Sequence, residues 1–157
     1  MANGLTKQSS FVAWLLTVGL ATAVQAQDTL CHGAPSAARL RISVEGVRSG
    51  QGQVAITLYG DDKKKFLRQE LGSYFDPAKP GVTSICVSLP HPGTYAVVAY
   101  HDANSNKDLD TGALGIPREG YAFSNNVRPV LSAPSFNSVK IEAGPGDTFL
   151  HLRLHYP

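Results

Sequence analysis

Apolar and polar residues alternate along this chain with a period of two. Residues 38–45 read Ala-Arg-Leu-Arg-Ile-Ser-Val-Glu, which puts Leu40, Ile42 and Val44 on one side and Arg39, Arg41, Ser43 and Glu45 on the other. A strand with one face on a core sorts residues this way; a helix does not. The pattern returns in Val54, Ile56 and Leu58, and again in Ile85, Val87 and Leu89. It returns last over Thr148–Tyr156, with Leu150, Leu152, Leu154 and Tyr156 opposite Phe149, His151, Arg153 and His155. Tyr95–Tyr100 is apolar on both faces and predicts a central strand. Phe136–Ile141 is a further candidate strand. Three glycines in residues 46–52 predict a turn that joins the first two strands as a hairpin. Asp61 or Asp62 is placed to cap a short helix over 62–71. The lysines at 63–65 read as a solvated face, and residues 73–81, with Pro77, Pro80 and Gly81, as loop. Six or seven short strands punctuated by 15 Gly and 10 Pro predict an all-β fold, a single antiparallel β-sandwich. One long ordered loop over 102–135 interrupts it.

Residues 1–26 read as an address. Lys7 precedes the apolar run Phe11–Ala21, and small residues end at Ala26. This order describes a secretory signal peptide cleaved after Ala26. A retained anchor needs about 20 consecutive apolar residues, more than this run supplies. The remaining organisation is a lead over 27–37 and a sandwich domain over 38–157, without a transmembrane segment. Cys31 and Cys86 both lie in the mature part, and in an oxidising compartment such a pair predicts a disulfide. Neither has a CxxC neighbour, which argues against redox chemistry. The expected location is the periplasm or the exterior. A net charge of +2 offers no electrostatic grip on nucleic acid.

The long loop opens His101-Asp102-Ala103-Asn104-Ser105-Asn106-Lys107-Asp108-Leu109-Asp110. Oxygen-bearing side chains fall on alternate residues from 102 to 110. Calcium takes six to eight oxygen ligands, and a loop curled around the ion offers every second side chain inward. Asp102, Asn104, Asn106, Asp108 and Asp110 are therefore candidate calcium ligands. Lys107 stands where such loops place Gly, and Ala113 where they place a bidentate Glu. Glu119 is a candidate substitute. The expected affinity is modest, which suits extracellular modules working at about 10⁻⁴–10⁻³ M. The alternative is a metal-free loop whose Asp and Asn side chains cap their own backbone. Farther on, Arg118, Tyr121, Phe123 and Asn125 are a candidate binding surface. Two alternative readings are a hydrolase using His101, Asp102 and Ser124, which lacks a nucleophile elbow, and a transition-metal site at His151 and His155.

Pro92-Gly93-Thr94-Tyr95, His101-Asp102-x-Asn104-x-Asn106, Gly115-Ile116-Pro117-x-Glu119-Gly120-Tyr121 and Phe123-Ser124-Asn125-Asn126 together resemble the bacterial domain of unknown function 2141 family. The likeness covers residues 38–156. It implies an exported β-sandwich similar to transthyretin-like and carboxypeptidase-regulatory modules, with no established activity; the strand pattern itself fits an immunoglobulin- or transthyretin-like sandwich. The family pattern usually carries Gly near Ser105 and Lys107, where this chain has none. The combined expectation is an exported, non-enzymatic binding or structural protein with a calcium-stabilised loop. Its expected partner is an envelope protein or glycan.

Overall fold

The computed structural model describes Met1, residues 30–130 and residues 132–157. The leader expected over 1–26 lies, but for Met1, outside them. The described strands are β1 (Ala38–Val47), β2 (Gln53–Tyr59), β3 (Gly72–Pro77), β4 (Gly81–Ser88), β5 (Gly93–Asp102), β6 (Tyr121–Phe123), β7 (Ile141–Ala143) and β8 (Gly146–Arg153), with one short helix, α1 (Phe136–Val139), before β7. β4, β1 and β8 form one sheet. The other runs β3-β2-β5-β6, and β7 pairs with the start of β5. The two sheets face each other as a sandwich. Leu40, Ile42, Val44, Ile85, Val87 and Leu152 from the first meet Val54, Ile56, Leu58, Val97 and Ala99 from the second. Each is essentially buried, so the alternating faces read from the sequence are the ones that close the core.

Several expectations change in detail. The described residues form eight strands, and the sandwich is not wholly antiparallel, because β1 and β8 run parallel from Ala38↔Gly146 to Glu45↔Arg153. Arg39 and Arg41 both bond Asp147 across this pair, at 2.6 and 2.8 Å. These bonds, Arg41 first, hold the Asp147 carboxyl below its usual range. The β1–β2 hairpin does not form: β1 pairs with β4 and β8, while β2 pairs with β3 and β5. Alternation marks which face is apolar, and two such faces satisfy each other across a core as readily as within one sheet. The 73–81 loop contains β3, an edge strand that ends on Pro77, where the missing N–H costs no ladder bond.

The helix expected over 62–71 is a series of turns. The Asp62 side chain accepts from Lys64 N and the Asp62 carbonyl from Lys65 N, and Leu67 at φ 58° stops any helix. The strand expected over 136–141 begins instead as α1, capped by Ser135, whose Oγ accepts from Ser138 N. Phe136 and Val139, three apart, are buried together, a spacing a strand would have split between faces. The loop 102–135 contains β6 and two 3₁₀ turns, Ala113–Gly115 and Ser124–Asn126.

Cys31 and Cys86 form the expected disulfide, with Cα atoms 4.5 Å apart across a sequence separation of 55. A loop of that length stabilises by about 4 kcal/mol in the chain-entropy model. The bridge lays the lead along β4, where His32 N donates to Cys86 O and Ser88 N donates to His32 O, both at 2.8 Å. The His32 ring reaches Asp76 of β3 at 2.9 Å, so the lead joins the edges of both sheets. Tyr95 is buried and donates from its hydroxyl to His91 O at 2.6 Å, anchoring the Pro92-Gly93 turn that launches β5.

Candidate binding groove and its Asp/Asn loop

β5 ends in His101 and Asp102, both buried. The His101 ring lies between Gln51 O and the Tyr156 hydroxyl, each 2.9 Å away. Two glycines let the backbone close here. A Cβ on Gly120 would lie 2.3 Å from the Tyr156 ring, and one on Gly52, already at φ +67°, would lie 2.0 Å from Asp102 O.

The Asp102 carboxylate organises the loop that follows. It accepts from Asn106 N at 3.1 Å, Lys107 N at 2.9 Å and Gln53 Nε2 at 2.7 Å. These bonds hold Ser105 and Lys107 at φ 59° and 69°, the left-handed region that glycine adopts freely. They are the positions where the family pattern usually has Gly. Asn104 and Asn106 each donate from Nδ2 to Asp110, at 2.8 and 3.0 Å. Glu119 accepts from Ala103 N at 3.0 Å and Asp110 N at 3.1 Å, binding the start of the loop to its end.

Asp102, Asn104, Asn106, Asp110 and Glu119 are thus brought together, while Asp108 is exposed at the rim. The donors are the hard oxygens calcium takes, but the loop closes through its own hydrogen bonds. A cation must displace the two amide N–H groups that Asp110 accepts. Among the described residues no three His, Cys, Asp or Glu side chains are grouped to hold a metal ion.

Tyr100, one residue before His101, faces the opposite side of β5 and donates to Lys107 O at 2.9 Å. Burial first, then the charges of Asp102, Asp108 and Glu119, push its hydroxyl up to about 12. It belongs to the outer face of the five-stranded sheet, where the register aligns Ser73, Thr57, Val98 and Phe123 in one row. Tyr100 and Tyr121 pair in the next. Phe66 and Phe136 cover one end of this face; Phe66 stacks edge to face with both Phe136 and Tyr59. The Asp/Asn loop stands over the other end. Between them a groove of about 900 Å³ crosses all four strands. Thr57, Val98, Tyr100, Tyr121 and Phe123 form its floor, and Leu67, Leu109, Ile116 and Val130 its walls. Its volume is that of a small-molecule site.

Of the expected binding surface, Tyr121 and Phe123 line this groove, edge to face at 5.9 Å, and Arg118 and Asn125 do not. Asn125 belongs to a clip missed in the sequence. Ser124 Oγ donates to Val139 O and accepts from Val97 N at 3.0 Å. Asn125 Nδ2 donates to Ser138 O and Lys140 O, both at 3.0 Å. Asn126 donates to His151 O and accepts from Arg153 N, at 2.9 and 2.8 Å. Three consecutive polar side chains thereby tie β5, α1 and β8 together. The legible signal was two adjacent asparagines, the residue type that best tolerates the positive φ both adopt here.

The same bonds separate the proposed hydrolytic residues. Ser124 is buried with its hydroxyl spent on backbone, and the His101 nitrogens face Gln51 and Tyr156 rather than Asp102 or Ser124. His151 and His155 are both exposed, and His155 is fixed by two backbone bonds to Tyr121 with its ring edge-on to that of Tyr121.

Of the groove floor, Val98 and Tyr100 are legible in the sequence only as apolarity on both faces of Tyr95–Tyr100, and Thr57 gives no signal. None of the curated proteins and none of the solved structures matches the chain. A family model does match, over residues 42–150, more than two-thirds of the length and the whole span from mid-β1 into β8 that builds both sheets and the groove. The chain belongs to that family, described as uncharacterized protein conserved in bacteria (DUF2141).

Proposed function

We propose that this protein is an exported, non-enzymatic binding module that takes its ligand in the groove on the outer face of the five-stranded sheet. The observation that carries this reading is the mismatch between floor and walls. Thr57, Val98, Tyr100 and Phe123 are almost fully buried, whereas Leu67, Ile116 and Val130 above them are 38%, 57% and 90% exposed. Large apolar side chains gathered open over a closed aromatic floor favour an incoming apolar surface. Export is supported by the apolar run and small residues before Ala26 and by the Cys31–Cys86 pair, which persists best in an oxidising compartment. Among the described residues no helix is long and apolar enough to cross a membrane.

Calcium is the second part of the proposal. Asn104, Asn106, Asp108 and Asp110 are half-buried or exposed and so within reach of an ion, and they stand on the loop that walls the groove. Ligation there replaces the amide bonds to Asp110 and stiffens that wall. The exchange of hydrogen bonds for ligation keeps the affinity near the millimolar range of extracellular modules.

The neutral dye N-phenyl-1-naphthylamine tests the groove. Saturable fluorescence enhancement is expected, lost in Ile116→Asp and kept in Phe149→Asp, which removes an exposed apolar residue from the opposite sheet. Equal loss in both variants overturns the groove as the site. Calcium at a few millimolar is expected to raise Tm, and Asp110→Ala to abolish the rise. An unmoved wild-type Tm removes calcium from the reading.

A further inference from the structure

The groove does not end at β6. A second cavity of about 260 Å³ adjoins it, sharing Tyr121, Phe123 and Pro129. Its remaining lining includes Arg128, Arg153 and His155 and no carboxylate. Arg128 is exposed and has no ion-pair partner among the described residues. Arg153 pairs with Glu45 through one nitrogen at 3.1 Å, with both side chains open to solvent. Such a pair is weak, and the guanidinium keeps further donors for an anion. The His155 ring is located by the backbone bonds to Tyr121 and adds a third donor at the same mouth.

Across the middle of the main groove the hydroxyls are already paired. Tyr100 has spent its hydroxyl proton on Lys107 O, and the Thr57 and Ser73 hydroxyls bond each other at 3.1 Å. A sugar needs many unpaired donors and acceptors, and Thr57, Ser73 and Tyr100 offer few across the middle of the floor, whereas an alkyl or aryl body needs none. The polar groups Glu70, Lys107 and Asp108 line the groove without joining the small cavity, so its ends differ in charge. Four strands at about 4.8 Å spacing put about 14 Å between β3 and β6, the reach of a medium-length acyl chain.

Resting on the groove as the binding site, we infer that groove and cavity together bind one amphiphilic anion. Its carboxylate or phosphate head lies on Arg128 and Arg153, and its apolar chain runs over Phe123 and Val98 toward Leu67 and Ile116. The cations supply orientation and the groove supplies most of the affinity, because exposed guanidinium contacts are individually weak and burial of a chain grows with each methylene. The head-group cavity is open to solvent, so binding weakens with added salt.

Titration calorimetry of the mature protein tests this with five probes: decanoate, decyl phosphate, decanol, decyltrimethylammonium and acetate. Decanoate or decyl phosphate is expected to bind at least tenfold tighter than decanol, and the tighter of the two identifies the head group. Decyltrimethylammonium is expected to bind no tighter than decanol, and acetate not to bind at the same concentrations. Arg128→Ala is expected to bring the anionic probes to the decanol level and to leave decanol unchanged, while Arg128→Lys restores most of the difference. Equal affinity for decanoate, decanol and decyltrimethylammonium overturns the anionic head and leaves the groove standing. Acetate binding as tightly as decanoate overturns the link between cavity and groove. Failure of all five probes overturns the groove reading as well.

Discussion

The two faces of β2 and β5 are built from similar residues and lead to different ends. The inner face carries Val54, Ile56, Leu58, Val97 and Ala99, and the opposing sheet closes over all of them. The outer face carries Thr57, Tyr59, Val98 and Tyr100, also nearly buried, but among the described residues no second sheet covers them. A patch from two distant segments, Phe66 and Phe136, covers one end, and the Asp/Asn loop overhangs the other. Layers of β-branched and aliphatic side chains from both sheets bury one another on the inner side. Patches attached by turns leave a groove on the outer side. Apolarity on both faces of a strand therefore marks a central strand without saying that both faces are core.

The contrast breaks most visibly at Leu58. Leu58→Ala empties a fully enclosed site and is expected to cost about 2–5 kcal/mol in denaturant unfolding, with dye affinity unchanged in the folded fraction. A cost below 1 kcal/mol would mean that the inner face is no better packed than the outer.

Tyr100→Phe acts at the outer face and is expected to cost about 0.5–1.5 kcal/mol, the worth of one hydrogen bond. It carries a pH signature. The Tyr100 hydroxyl is raised from 10.0 to about 12 in the folded protein, so its protonated form is favoured by folding. That contribution is complete below pH 10 and is lost as pH rises through 12. Alkaline denaturation should therefore be steeper in the wild type than in Tyr100→Phe between those values. Parallel curves would place the residue outside the buried floor.

Ile116→Ser should have the smallest effect on stability, within about 0.5 kcal/mol, because the side chain is 57% exposed. It should still weaken the apolar dye, since the wall and not the core loses area. A large stability loss here would make the wall part of the packing.

Much of the architecture was legible at particular residues. Leu40, Ile42, Val44 and Leu150, Leu152, Leu154 were assigned their faces by alternation alone, because a side chain's side of a strand depends only on its parity. The central position of Tyr95–Tyr100 and the Cys31–Cys86 bridge followed from local composition and from pairing of the two cysteines. β3 was hidden because an edge strand beside prolines carries little alternation. α1 was hidden because four residues hold too few turns to express a helical period. Asp102, Asn104, Asn106 and Asp110 are legible as one loop, yet their spacing is the same for ligands of an ion and for caps of a backbone. Arg128 and Val130 carry no signal in the sequence, since nothing local connects them to Tyr121 or Ile116.

The sequence by itself determined the kind of layer this chain makes, the inward face of each main strand, the disulfide and the one loop rich in hard oxygens. All of these depend on neighbours within a few residues or on a count of two. Only the tertiary structure decided that β1 and β2 belong to different sheets and that β1 and β8 run parallel. It alone brought Thr57, Val98, Tyr100 and Phe123 to the floor of a groove and Arg128 with Arg153 to its mouth. The physical reason is that strand partners and cavity walls are chosen by contacts between residues far apart in the chain, while periodicity records only which side of its own strand a residue occupies.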